Sequence, residues 1–80
     1  YKKALELDPN NALSYNNRGA DYLDMGQYQR AIEDFDKALA IDGDLALSYY
    51  NRGLALQMIG QSVLAEEDVM RACVLDRDYC

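Results

Sequence analysis

The sequence repeats itself every 34 residues, and this period constrains the fold more than any other feature. When the chain is shifted by 34, residues 12–45 and 46–79 are identical at 15 positions without a gap. Periods of this length are typical of solenoids, in which each repeat buries its apolar face only against its neighbours. We therefore divide the chain into the second-helix tail of a preceding repeat at 1–11, and two whole repeats at 12–45 and 46–79.

Inside each repeat the apolar residues recur at helical spacing. In the first repeat they form two sets, which are Tyr15, Gly19, Tyr22 and Leu23, and then Ala31, Phe35, Ala38 and Leu39. The intervals i, i+4, i+7 and i+8 place each set on one side of a helix. Gly26 and Gly60 separate the paired helices, and Asn10 and Asp44 are the expected caps of the helices that follow them. The prediction is an all-α chain with no strand and five helices, at about 1–7, 12–25, 28–41, 46–59 and 62–75.

Composition excludes several classes of function. The net charge of −6 argues against binding to nucleic acid or to anionic membrane surfaces, because both repel an acidic chain. The chain has no histidine, which removes imidazole metal sites and histidine proton shuttles. The longest uncharged stretch, 53–65, is far shorter than the ~20 apolar residues of a membrane span. Since no glycine-rich phosphate loop is present either, we expect no catalysis, no cofactor and no metal ion.

The two cysteines give a weak indication of the compartment. The spacing of Cys73 and Cys80 fits neither a CxxC redox motif nor a zinc-ligand pair. Cys73 lies on an apolar helical face, where a free thiol behaves as a small hydrophobic residue. Free thiols are typical of a reducing compartment, so the expected location is cytoplasmic.

The motif inside each repeat resembles that of the tetratricopeptide repeat family. That pattern is an aromatic, a large apolar residue, Gly and Tyr on the first helix, then Ala and Phe on the second, and a closing Pro. The matching residues are Tyr15, Arg18, Gly19, Tyr22, Ala31 and Phe35, then Tyr49, Arg52, Gly53, Leu56, Ala65 and Val69, with Pro9 as the proline of the leading segment. The resemblance implies a right-handed superhelical α-solenoid of antiparallel helix pairs. Val69 is smaller than Phe35 at the same position, so we expect looser packing in the second repeat.

Two arginines depart from the family pattern. Arg18 and Arg52 stand where the pattern has leucine, and an unpaired buried charge is very costly. An aspartate follows each of them sixteen residues later, at Asp34 and Asp68 on the partner helix. We predict that these residues pair, within a repeat or across to the next one. The alternative is that the arginines extend into water along their aliphatic stems.

The expected site is a groove, because the first helix of each pair lines the concave side in this family. The candidate peptide-binding residues are Leu13, Asn16, Asn17, Ala20, Asp24, Leu47, Tyr50, Asn51, Leu54 and Met58. An asparagine amide offers an acceptor and two donors, so it can bond both backbone groups of an extended peptide. The family's clamp for the C-terminal carboxylates of chaperones needs cations beside its asparagines. Asn51 matches one of those asparagines, but Asn16, Leu47 and Asp24 stand where cations would be wanted. We therefore expect a non-catalytic protein–protein interaction scaffold whose ligand is a protein or an extended peptide.

A structural role is the alternative. The chain would then be a solenoid arm or spacer of a larger protein, which could be an enzyme or a self-assembling one. Apolar surface would be left at both ends of so short a stack. It is formed by Leu5 and Leu7 near the start, and by Leu64, Val69, Val74 and Leu75 on the last helix. We expect either that the chain is an excerpt of a longer array or that its ends stack on other copies.

Overall fold

The computed structural model describes residues 10–80, and this part of the chain contains four α-helices, one short 3-10 helix and no strand. The helices are α1 at Ala12–Asp24, α2 at Tyr28–Ile41, α3 at Ala46–Met58 and α4 at Ser62–Leu75, and the 3-10 helix follows at Arg77–Tyr79. The last four predicted helices are confirmed, and their ends differ from the prediction by at most one residue. The helix predicted at 1–7 lies outside the described residues.

The helices form two layers. Each helix packs against the next one in the chain, and α1 also contacts α3. The first helices of the two repeats are therefore neighbours, with α2 packed against both. This is the arrangement of a solenoid, in which a helix pair buries its apolar side against the adjacent pair. The predicted all-α solenoid of antiparallel helix pairs is confirmed.

A glycine in the left-handed region ends the first helix of each repeat. Gly26 has a φ of 76°, and Gly60 a φ of 85°. The Gln27 amide donates to the carbonyl of Tyr22 over 2.8 Å, and the Gly26 amide donates to that of Leu23 over 3.1 Å. These two bonds form a Schellman motif, which satisfies the last carbonyls of α1 and requires a residue that tolerates positive φ. The same pair of bonds recurs after α3.

The helices start at the predicted residues, but their capping residues differ from the prediction. Asn11, not Asn10, is the cap of α1, and its Oδ1 accepts the Leu13 amide over 3.0 Å. No side chain caps α3; instead Asp42 Oδ1 accepts the Asp44 amide over 3.1 Å and closes an Asx turn before the helix. The predicted caps were wrong because an Asx turn and an N-cap both favour short polar residues, and the sequence alone does not separate them.

A close helix crossing explains the two helical glycines. Phe35 is fully buried and forms the core with the buried Ala55 of the next repeat. A Cβ added to Gly19 would lie 2.7 Å from Phe35 Cε1, so a side chain there would displace the ring. At Gly53 the closest approach is 3.0 Å, to Val69 Cγ2, and Val69 is only half-buried. The second repeat therefore has a smaller and less covered residue in its crossing, as expected.

Candidate functional site

Four of the predicted groove residues form one row on α1. Leu13, Asn17, Ala20 and Asp24 lie within about 60° of one another on the helix, at 100° per residue. Leu13, Asn17 and Asp24 are exposed, and Ala20 is half-buried. This row faces away from the buried side of α1, which carries Gly19.

The equivalent residues of the second repeat form a row on α3. They are Leu47, Asn51, Leu54 and Met58. Leu54 and Met58 are exposed, while Leu47 and Asn51 are half-buried. The helices α1 and α3 are in contact, and the two rows occupy equivalent positions on them. Together we call these two rows the groove face.

Asn16 lies beneath the groove face rather than on it. Its side chain is 1% exposed, and its Oδ1 accepts bonds from Ser48 Oγ at 2.8 Å and from Asn51 Nδ2 at 3.3 Å. These bonds join α1 to α3 and hold Asn51 in its row. The side chain of Asn16 is thus occupied within the fold. The partner role of Ser48 was not predicted, although Ser48 is one of the positions that the two repeats share.

Tyr50 is the residue of the second repeat that corresponds to Asn16. It is half-buried, and its ring centroid lies 5.1 Å from that of Tyr79, with the two rings tilted by 37°. Tyr79 belongs to the 3-10 helix after α4 and was not among the predicted site residues. The repeat did not indicate this contact, since the equivalent residues of the first repeat are Asn16 and Leu45.

The two arginines pair with the predicted aspartates. Arg18 Nε and Nη2 donate to the two carboxylate oxygens of Asp34, both over 2.8 Å. Arg52 donates to Asp68 in the same two-pronged way, over 2.7 and 2.8 Å. Both aspartates are buried, and both arginine side chains are mostly covered. The predicted pairing within each repeat is confirmed, and the alternative that the arginines extend freely into water is wrong.

These bonds set the electrostatics of the helix pairs. Donation to Asp34 raises the pKa of Arg18, and this effect outweighs the burial, which lowers it. Donation to Asp68 likewise raises the pKa of Arg52, which also donates to Asp36 on α2 over 2.9 Å. Pairing across the repeats therefore occurs as well, at Arg52. The paired charges thus link α1 to α2 and α3 to α4.

The other described cations of the helices also lie away from the groove face. Three of them lie over tyrosine rings, at 5.7–5.8 Å from the centroid: Arg30 over Tyr22, Lys37 over Tyr15, and Arg71 over Tyr49. The two rows contain no cation, and Asp24 is their one charged residue. The groove face is thus a mixed apolar and amide surface with an acidic end.

The structure corrects the prediction of a free thiol at Cys73. Cys73 and Cys80 form a disulfide, with their Cα atoms 4.6 Å apart, so neither is a free thiol. The turn after α4 brings the chain back to the last turn of that helix, a geometry that spacing alone does not reveal. The expected cytoplasmic location rested on free thiols and loses that support.

Two further properties concern residues 10–80 only. No group of three or more His, Cys, Asp or Glu side chains there is arranged to hold a metal ion. No helix in this part of the chain combines the length and the apolar character needed to cross a membrane.

Comparison with known families agrees with the repeat pattern and the helix pairs. Two models described as tetratricopeptide repeat match the chain, one over residues 12–45 and the other over 35–67. Together they extend from the start of α1 into α4 and include both rows of the groove face. The chain belongs to the tetratricopeptide repeat family.

Proposed function

We propose that this chain is a non-catalytic interaction scaffold that binds an extended segment of a partner protein on its groove face. Tetratricopeptide repeats are in general protein-interaction motifs. The observation that carries the proposal is the composition of the groove face, which combines exposed apolar side chains with amides and an acid. The described cations of the helices contact tyrosine rings or aspartates away from this face.

The spacing of the two amides suits an extended peptide. Asn17 and Asn51 occupy equivalent places on neighbouring helices, which lie roughly 10 Å apart because of their diameter. An extended peptide advances ~3.3 Å per residue, so about every third residue would face an asparagine. Asn17 is an exposed residue. Asn51 is half-buried and donates one N–H to Asn16, which leaves its oxygen and its second N–H to bind a ligand.

The side chains of the groove face indicate the chemistry of the ligand. Leu13, Leu54 and Met58 are exposed and would contact apolar side chains of the peptide. Asp24 and the net charge of −6 favour basic residues and speed their approach. The ligand we propose is therefore an extended peptide that combines apolar and basic residues, held weakly by two repeats.

A nuclear magnetic resonance titration tests this function. The probe is an octapeptide that alternates Leu and Lys, and the matched control alternates Leu and Glu. We expect the basic probe to shift the amide signals of the two rows, chiefly around Asn17 and Asn51, and the acidic control to leave them unchanged. Equal shifts with both peptides, or shifts confined to α2 and α4, would contradict the proposal.

Self-association is a second candidate, since α4 exposes more apolar surface than α2. Val63, Met70 and Val74 are exposed by 71%, 66% and 84%. The equivalent residues on α2 are Gln29, Asp36 and Ala40, all exposed. A structural arm could use the apolar surface of α4 to stack on further copies. Analytical ultracentrifugation of the chain and of the variant Met70→Asp, which introduces the residue found at the equivalent position of α2, tests this. Association that the variant abolishes supports self-association. A chain that is monomeric at all concentrations refutes it.

A further inference from the structure

We propose that a cleft between α2 and α4, here called the outer cleft, binds small organic amines that have an apolar body. The cleft has a volume of about 360 Å³ and lies over α3. This volume is within the range of small-molecule sites, which combine apolar walls with a few polar groups that orient the ligand. The site is separate from the groove face, so it goes beyond the proposed binding of a peptide there.

The outer cleft lies on the opposite side of α3 from the groove face. The first helices α1 and α3 contact each other, whereas α2 and α4 are not among the packed pairs of the described helices. The second helices therefore leave a space between them, with α3 as its floor. The floor residues Tyr49, Arg52 and Leu56 lie about 140–200° around α3 from Leu47 of the groove face, at 100° per residue.

One end of the outer cleft is apolar where the first repeat carries a charge. Ile32, Leu56 and Leu64 line this end, and Leu64 is 49% exposed. A shift of 34 places Leu56 and Leu64 on Tyr22 and Arg30, and the guanidinium of Arg30 lies over the Tyr22 ring. The second repeat thus has two leucines in place of a cation–π pair. These leucines provide an apolar surface for the body of a ligand.

The charged residues of the outer cleft leave an excess of one negative charge. They are three carboxylates and two guanidinium groups, at Asp36, Asp68, Glu67, Arg52 and Arg71. Arg52 donates to both oxygens of Asp68 and to Oδ1 of Asp36. Asp36 lies on α2 and Glu67 on α4, so an ammonium group between these helices has a carboxylate on either side.

The hydrogen-bond acceptors of the cleft favour a cation over an anion. Asp36 is 57% exposed, and Arg52 occupies only its Oδ1. Glu67 is exposed and takes part in none of the ion pairs of the described residues. An ammonium group has three donors and no acceptor, so it can bond to both carboxylates. A carboxylate ligand would be repelled by the same two groups.

The position of the outer cleft in the repeat stays open when another repeat follows. A shift of 34 places Leu64, Glu67 and Arg71 on Arg30, Glu33 and Lys37. All three residues of the first repeat are exposed, although α3 and α4 follow them in the chain. Stacking of a further helix pair therefore does not by itself cover this side of α4.

A nuclear magnetic resonance titration of the whole chain tests the ligand chemistry. The probe is phenethylamine, and its matched controls are 2-phenylethanol, which lacks the charge, and 3-phenylpropionate, which reverses it. We expect phenethylamine to shift the methyl signals of Ile32, Leu56 and Leu64 and to bind more tightly than either control. Nα-acetyl-lysine methylamide presents an ammonium group as a partner protein would, and it should bind more weakly because its amides are polar.

Two variants and a matched control test the residues of the site. Glu67→Gln removes one carboxylate and should weaken phenethylamine binding about two- to fivefold, as for an exposed ion pair. Leu64→Arg introduces the cation found at the equivalent position of the first repeat and should abolish the shifts. Glu33→Gln makes the first change at the equivalent exposed acid of the first repeat, and this variant should bind like the unmodified chain.

Several results would overturn the proposal. They are equal binding of phenethylamine and 3-phenylpropionate, an affinity that Glu67→Gln leaves unchanged, and shifts confined to residues outside the outer cleft. Tighter binding of the lysine derivative would assign the cleft to a protein partner instead. If a variant unfolds, as circular dichroism would show, the three phenyl compounds still decide the question on the unmodified chain. The peptide titration is measured on the two rows, so failure of one site is distinguishable from failure of the other.

Discussion

The two repeats share the residues that fix each helix pair and differ in the residues that meet other surfaces. Both have the glycine with positive φ after the first helix, the helical glycine at the crossing, and the two-pronged arginine–aspartate pair. They differ at the crossing itself, where Phe35 is fully buried and Val69 is half-buried. The shared residues therefore set the geometry of each helix pair. The residues that differ set how tightly the two helices pack and which other surfaces the pair contacts.

The first repeat is also tied to the second by contacts across the boundary between them. Phe35 lies in one cluster with Ala55 of α3, and Asn16 accepts bonds from two residues of α3. In addition, Asp36 binds Arg52 across the boundary between the repeats. Phe35 thus contributes to two helix pairs, since it also packs against Gly19 in its own pair.

The largest expected effect is the loss of this buried ring. Phe35→Ala should lower the free energy of unfolding by about 3–5 kcal/mol, because it removes a fully buried aromatic and leaves a cavity. Val69→Ala should cost only about 1 kcal/mol, since less apolar area is lost from a half-buried site. Urea denaturation followed by circular dichroism measures both. Equal losses would show that the two crossings are equivalent after all.

Removing either arginine should have the next largest effect, and in this respect the two repeats should be alike. Arg18→Met and Arg52→Met each leave a buried carboxylate without its partner, which should cost about 3 kcal/mol. The double change Arg18→Met/Asp34→Leu removes both charges and should recover most of that loss. A single variant within about 0.5 kcal/mol of the parent would show that the aspartate regains water at no cost.

Adding a methyl group at the helix crossing should have a different effect on stability in each repeat. Gly19→Ala should destabilise by about 1–2 kcal/mol, because displacing Phe35 outweighs the gain in helix propensity. Gly53→Ala should cost less, about 1 kcal/mol, because the closest contacts of the added Cβ are longer, at 3.0 Å to Val69 Cγ2 and 3.1 Å to the backbone oxygen of Ala65. Placing Gly19→Ala in a Phe35→Val background should remove most of its penalty in thermal unfolding. A penalty that does not change would show that the ring is not the cause.

The smallest expected effect concerns the ion pair between the repeats. Asp36 is 57% exposed, so water already screens its bond to Arg52. Asp36→Asn should therefore cost under about 1 kcal/mol, and the loss should shrink further at high salt. A matched change at Glu33, an exposed acid of α2 for which the structure shows no ion pair, gives the baseline. A larger cost would mean that the repeats depend on this bond to stay aligned.

Much of the fold could be predicted because each sequence feature that indicates it occurs in both repeats. The helical spacing, the glycine after α1 and α3, and the pairing of Arg18 with Asp34 all follow from recurring residues. What could not be predicted departs from the repeat: Asn16 becomes Tyr50, and Leu39 becomes Cys73. Burial of Asn16 depends on where Ser48 lies in three dimensions, and the disulfide depends on how the chain turns after α4. The division at 1–11, 12–45 and 46–79 stays a prediction.

The most direct measurement is the affinity of the octapeptide of alternating Leu and Lys, carrying a fluorescent label, for three proteins. They are the unmodified chain, the double variant Asn17→Ala/Asn51→Ala, and the single variant Gln29→Ala. Gln29 is an exposed amide on α2, away from the groove face, and serves as the matched control. We predict that the double variant binds markedly more weakly with a nearly unchanged melting temperature, because Asn16 keeps its bond from Ser48. Gln29→Ala should bind like the parent. Unchanged affinity in the double variant, or equal loss in the control, would contradict binding of an extended peptide by these asparagines.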